Sequence, residues 1–355
     1  MSVRTKSFIV ASLCCGLSLL VSRPPVASAA ENIKITTVQL KQQQMGVGID
    51  RLAKYINEQL PGKVSVKTYP AAQLYTGQEE TQALMKGEIE MAYVIGSALD
   101  LLDPAMQLTK LPYMAPTIEA AYGLWDGSVG KKLTAKMEKK GIALLGVVSS
   151  GSVAVSNSKH PIRKVEDFKG LKMRSFGPMG ASTLKGLGAM SVVTASEETY
   201  SALQQGVIDG ATTPANVFLL RKYYDVQKYV TDPGMLNATF GYIIANNDWW
   251  TKLAPDVRKG IQTAIERVVR EQRAEIAQSD KSVFEQIAAK GCQVITLTPA
   301  EEAAWKKALQ NVYTEFSAQI GPDLIKEAEG EVERFAKAQA APAAPAAPAP
   351  AAKKK

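Results

Sequence analysis

The stretch FKGLKMRSFGPMGAS (168–182) carries one long cation, Arg174, among small and apolar residues. A planar guanidinium can hold a carboxylate through two parallel, charge-assisted hydrogen bonds. The turn GPMGAS (177–182) that follows would offer helix N-terminal amides to the same anion. Two readings of Arg174 stand on the residues alone: it waits for an anion, or it is a structural tie that bridges two lobes or pairs with Asp167. Groups for covalent chemistry are sparse. The single histidine, His160, sits beside Pro161, a loop setting. No Ser–His–Asp set, no H-E-x-x-H and no cysteine pair for a metal is implied, and GSVGKK (127–132) resembles a phosphate loop only superficially. A secreted hydrolase or lyase has no positive signal here beyond the carboxylate pairs that any chain with 34 acids offers.

The elements that must position Arg174 alternate. ENIKITTVQ (31–39) reads as a strand. MGVGIDRLAKYINEQL (45–60) sets Ile49, Leu52, Ala53, Ile56 and Leu60 on one face of a helix. GKVSVKTYP (62–70) alternates as a strand does, GQEETQALMKG (77–87) is a helix capped by Gly87, and EIEMAYVIG (88–96) is the next strand. Strands alternating with helices predict a mostly parallel sheet. EETQALMKGEIEMA (79–92) is echoed by EETYSALQQGVIDGA (197–211), which predicts two α/β lobes built alike and a ligand cleft between them. One long helical stretch, 254–291, follows and is long enough to span both lobes.

The termini stand outside this fold. Arg4 and Lys6, the apolar run FIVASLCCGLSLLV (8–21) and VASAA (26–30) form a cleaved export signal over 1–30. Its removal takes Cys14 and Cys15 and leaves Cys292 alone, which excludes a disulfide scaffold. The formal charge of +8 falls to +2 without the signal and the three terminal lysines, and no basic stripe interleaved with aromatics supports a nucleic-acid role. AQAAPAAPAAPAPAAKKK (338–355) reads as a disordered Ala/Pro-rich tail.

HPIRKVEDFKGLKMRSFG (160–177), ETYSALQQGVIDGATTP (198–214), YYDVQKYV (223–230) and NNDWWTKLAPDVRKGIQTA (246–264) together resemble the extracytoplasmic solute-binding proteins of TRAP transporters, the DctP type. The resemblance runs from about Ile33 to about Phe335. DFKGLKMR and ALQQGVIDG, in order behind an export signal, are its most specific part. It implies an α/β, two-lobed periplasmic binding protein fold, each lobe a mixed, mostly parallel sheet flanked by helices, with a hinge and a long lobe-spanning helix. The lobes are expected at 31–150 plus 239–278 and at 151–238 plus 279–337. It implies a periplasmic protein, without enzymatic activity, that closes over an organic acid and hands it to a small and a large membrane subunit; the residues leave the oligomeric state open, with a monomer expected. The alternative is a module of the same fold serving a sensor or another transporter.

The resemblance also gives Arg174 the ligand's carboxylate. Two departures bear on the ligand. Val153, in SSGSVAVSN, replaces a second Arg that many relatives carry, and Thr213 replaces an Asn before Pro214. Losing one cation favours a monocarboxylate over a dicarboxylate. ATT (211–213) lacks the acid or Trp with which some relatives bind a metal, so no metal and no cofactor is expected. Gln73, Tyr75, Tyr93, Phe176 and Phe218 complete the candidate contacts, each with core packing as its alternative.

Overall fold

The computed structural model describes residues 31–340 except 176 and 195–197. The expected signal, Phe176 and the tail from 341 onward lie outside the described residues. The described strands are β1 (Glu31–Thr36), β2 (Val64–Tyr69), β3 (Met91–Ile95), β4 (Ile142–Ser149), β5 (Val153–Asn157), β6 (Lys172–Ser175), β7 (Met190–Val193), β8 (Gly210–Pro214), β9 (Tyr229–Asp232), β10 (Phe240–Asn246) and β11 (Gln293–Thr296). They form one sheet of order β2-β1-β3-β10-β4 and a second of order β11-β9-β5-β8-β6-β7. In the first, only β10 runs against its neighbours. In the second, only β5 does. The trio β2-β1-β3 therefore recurs as β7-β6-β8, each followed by one reversed strand. The sequence echo falls on matching places, because the helix Gly77–Lys86 leads into β3 and the helix Thr199–Gln204 leads into β8.

Local chemistry sets these boundaries. The helix Gly77–Lys86 opens on a capping box between Thr76 and Glu79 and closes on Gly87 at φ 77°, a left-handed conformation that costs glycine nothing. The helix Gln44–Gln59 buries Ile49, Leu52 and Ile56. It packs on the long helix Pro255–Asp280, whose Ile261, Ala264, Ile265 and Val268 are also buried. Both cover one face of the first sheet over Ile33, Ile35, Met91 and Ile243. A separate core in the second lobe gathers Ala154, Phe218, Tyr223, Val283 and Ile287. The largest core is continuous between the sheets, from Val94 and Phe240 to Val155 and Met173, through Phe316 and Ile320 of a C-terminal helix.

Three expectations need correction. The helical stretch 254–291 is two helices, Pro255–Asp280 and Val283–Ala289, because Ser282 leaves helical geometry at φ −127°, ψ 1°. The last helix, Pro322–Ala340, packs on the helices Ile118–Asp126 and Ser128–Glu138 of the first lobe rather than joining the second. Glu331 fixes it there by accepting from the Ser128 amide at 3.0 Å. Residues 338–340 are its last turn, so the first three residues of the expected tail are helical.

Candidate functional site

Open parallel sheets bind ligands beyond the carboxyl ends of their strands. Here those edges face each other. Leu40, Gln42 and Gln43, just after β1, share a pocket of about 380 Å3 with Tyr200, Leu220 and Arg221 of the second lobe. Between the edges, β4 crosses to β5 through Ser149–Ser152. Gln44 donates to the Ser149 carbonyl at 2.8 Å, and Asp280, ending the long helix, accepts from the Ser152 amide at 2.9 Å. Gly151 between them has φ 88°, and a Cβ there would stand 2.9 Å from Asp280 Oδ1. Burial pushes the Asp280 carboxyl above its usual range, against its bonds to Ser152.

Arg174 lies on β6, opposite Val192 of β7 and Ala211 of β8. It is 2% exposed. Nε donates to the Thr194 carbonyl at 3.1 Å, which fixes the guanidinium plane against the strand end. Its own carbonyl accepts from the Thr212 hydroxyl at 3.3 Å. Asp167 is not its partner, since that carboxylate accepts from the Arg163 and Lys164 amides at 2.8 Å. Thr213 is buried two residues beyond Ala211 on the same face as Arg174, beside Ala154. Val153 pairs with Pro214 and lies at the same sheet edge, but on the opposite face.

The remaining candidates scatter. Gln73 is exposed in the loop after β2. Tyr75 is half-buried and donates to Glu88 at 3.1 Å. Tyr93 and Phe218 belong to the core, which corrects their placement in the ligand site. Tyr93 is fully buried, donates to Gln272 at 3.0 Å, and fits because Gly48 and Gly241 flank its ring. Burial raises the pKa of its hydroxyl. Phe218 is fully buried edge-on to Tyr223 at 6.0 Å.

Sequence reading misses a polar patch on the first lobe. Lys110 pairs with Asp100 beside Gly96, the residue that follows β3. Glu80 is 1% exposed, and burial pushes its carboxyl up to about 7, with the Thr36 hydroxyl offsetting part of the rise. The one available signal was a lysine inside the apolar run AMQLTKLPYMA (105–115). Among the described residues no group of three or more His, Cys, Asp or Glu could hold a metal ion, and no helix is long and apolar enough to cross a membrane.

Two lobes of repeated topology, facing edges and a buried cation define a hinged ligand-binding protein. The model of the bacterial extracellular solute-binding protein family 7 (DctP) matches residues 36–319, and the chain belongs to that family. It is a solute-binding protein, not an enzyme. It is 30% identical to the C4-dicarboxylate-binding periplasmic protein DctP of Rhodobacter capsulatus, over 87% of this chain and 93% of that one. A TRAP periplasmic solute-binding protein from Sulfurospirillum deleyianum, solved with bound succinate, is 34% identical with TM-score 0.77, covering 85% of this chain and 99% of that one. One from Ralstonia eutropha with bound (S)-2-acetolactate is 30% identical with TM-score 0.80, covering 85% and 99%.

Proposed function

We propose that this protein is the periplasmic subunit of a TRAP-type transporter, that it closes on an organic monocarboxylate with the carboxylate held by Arg174, and that it delivers this acid to the membrane subunits. The observation that carries the reading is the buried Arg174 guanidinium at the carboxyl edge of the second sheet. A guanidinium whose plane is set by Thr194 presents a fork of donors suited to a carboxylate. Val153 in place of a second cation supports one carboxylate rather than two. The named relatives bind acids of both kinds, succinate and 2-acetolactate, so the family alone leaves the number of carboxylates open.

The test is calorimetric. A thermal-shift screen of organic acids on the mature protein identifies the tightest ligand, and Arg174→Ala is then titrated with it. The expected loss is about 2–5 kcal/mol, roughly 30-fold to several thousand-fold. Arg174→Lys keeps the charge without the fork and recovers part of the loss. A folded Arg174→Ala that binds as tightly as wild type makes Arg174 structural and the assignment wrong.

A further inference from the structure

The geometry points to an apolar latch at the mouth of the cleft, and we infer that Leu40 of the first lobe and Leu220 of the second meet when the lobes close and favour the closed form without a ligand. This rests on the reading of the protein as a hinged trap and asks what, besides the acid, holds the trap shut.

Both leucines line the pocket of about 380 Å3 between the lobes, together with Tyr200. Leu40 is 51% exposed and Leu220 50%. A single exposed leucine is ordinary surface. Two that line one gap from opposite lobes are apolar area that closing can remove from water. Such burial is favourable and non-directional, so it needs no ligand.

Each leucine stands on a fixed backbone. The Leu40 amide donates to Gln43 Oε1 at 2.8 Å, and its carbonyl accepts from the Gln43 amide at 2.9 Å. Gly46 lets that carbonyl come close, since a Cβ there would stand 2.2 Å from it. Leu220 ends the helix Ala215–Leu220, which is pinned by the fully buried Ala215 and Phe218. The chain then turns at Lys222, whose φ of 54° is a left-handed conformation that a non-glycine residue adopts at a cost. A leucine on loose chain would lose backbone freedom on making a contact. On these two mounts only the side-chain rotamers are left to lose.

Both mounts are tied to the crossover from β4 to β5. Gln44, next to Gln43, donates to the Ser149 carbonyl, and the Ala215 amide donates to the Ser152 carbonyl at 2.8 Å. A bend at Gly151, between those two ties, moves the leucines relative to each other with their mounts intact. The latch acts on the lobes and not on the acid. It therefore raises the population of the closed form and tightens every acid by one common factor.

The test is pulsed electron paramagnetic resonance on the exported full-length protein, with spin labels at Lys54→Cys and Lys185→Cys, exposed positions on the two lobes. Distances are measured without acid and with succinate or (S)-2-acetolactate. A short-distance population is expected without acid. Leu40→Asp with Leu220→Asp, checked for folding by thermal melting, should lower it about tenfold, and Leu40→Lys with Leu220→Asp should restore most of it. The inference is overturned if the like-charged and opposite-charged pairs give the same acid-free distribution. Calorimetry with the same two acids should show binding weakened by one common factor in the like-charged pair. Unequal weakening makes the leucines ligand contacts and overturns the latch. The two readings fail separately. Distances that neither acid changes, with the charge pairs still differing, count against acid-driven closure and leave the latch standing. Distances that the acids shorten while the charge pairs agree overturn only the latch.

Discussion

The two lobes hold buried ionisable groups of different kinds. On the second lobe, Arg174 Nε donates to the Thr194 carbonyl at 3.1 Å. A guanidinium keeps its proton at every working pH, so the charge of this side chain does not titrate. On the first lobe, Lys110 is bonded to Asp100, and elsewhere in that lobe burial pushes the Glu80 carboxyl up to about 7. Charge there is paired or suppressed by burial. Lobes of one topology thus differ in how pH acts on them: the Arg174 charge is fixed, and the Glu80 charge changes.

Glu80 makes the stability of the first lobe sensitive to pH. Glu80 moves from 4.5 when unfolded to about 7 when folded. The stability it contributes is full below pH 4.5 and is lost as pH rises through 7, because the native state binds the extra proton between those values. Glu80→Gln should remove up to about 3 kcal/mol of this fall, measured as a smaller drop in melting temperature from pH 5 to pH 8. An unchanged pH dependence would mean that the Glu80 carboxyl is not buried as described. The joint between the lobes comes next in size. Gly151→Ala forces a left-handed residue against Asp280 and should cost about 1–3 kcal/mol in chemical denaturation. The smallest effect concerns Val153. Val153→Arg gives the second lobe another cation and should move preference toward succinate by roughly tenfold in calorimetry. An unchanged preference would mean that position 153 does not face the ligand.

Much of the setting of Arg174 was legible in sequence, and almost none of that of Lys110. Arg174 stands beside glycine turns inside a strand–helix unit, so its place at a strand end follows from local pattern alone. The repeated trio of strands was visible for the same reason, since the helices leading into β3 and β8 keep their acidic starts and glycine stops. The surroundings of Lys110 depend on pairings far apart in the chain: Asp100 is close in sequence, but Tyr242 arrives on β10, which reaches the first sheet only by threading between β3 and β4. Tyr93 misled because an aromatic at a strand end looks the same in core and cleft, and only the flanking Gly48 and Gly241 show its ring to be enclosed. The final helix was assigned to the wrong lobe because chain order says nothing of where an amphipathic helix docks.

The most direct measurement is a crystal structure of the protein with the tightest acid found by screening. The account predicts a carboxylate on the Arg174 guanidinium at about 2.7–3.0 Å, with Thr213 beside it and the rest of the ligand against the first lobe. A well-ordered acid whose carboxylate bonds elsewhere, leaving Arg174 in its bond to Thr194 and out of reach, would contradict it.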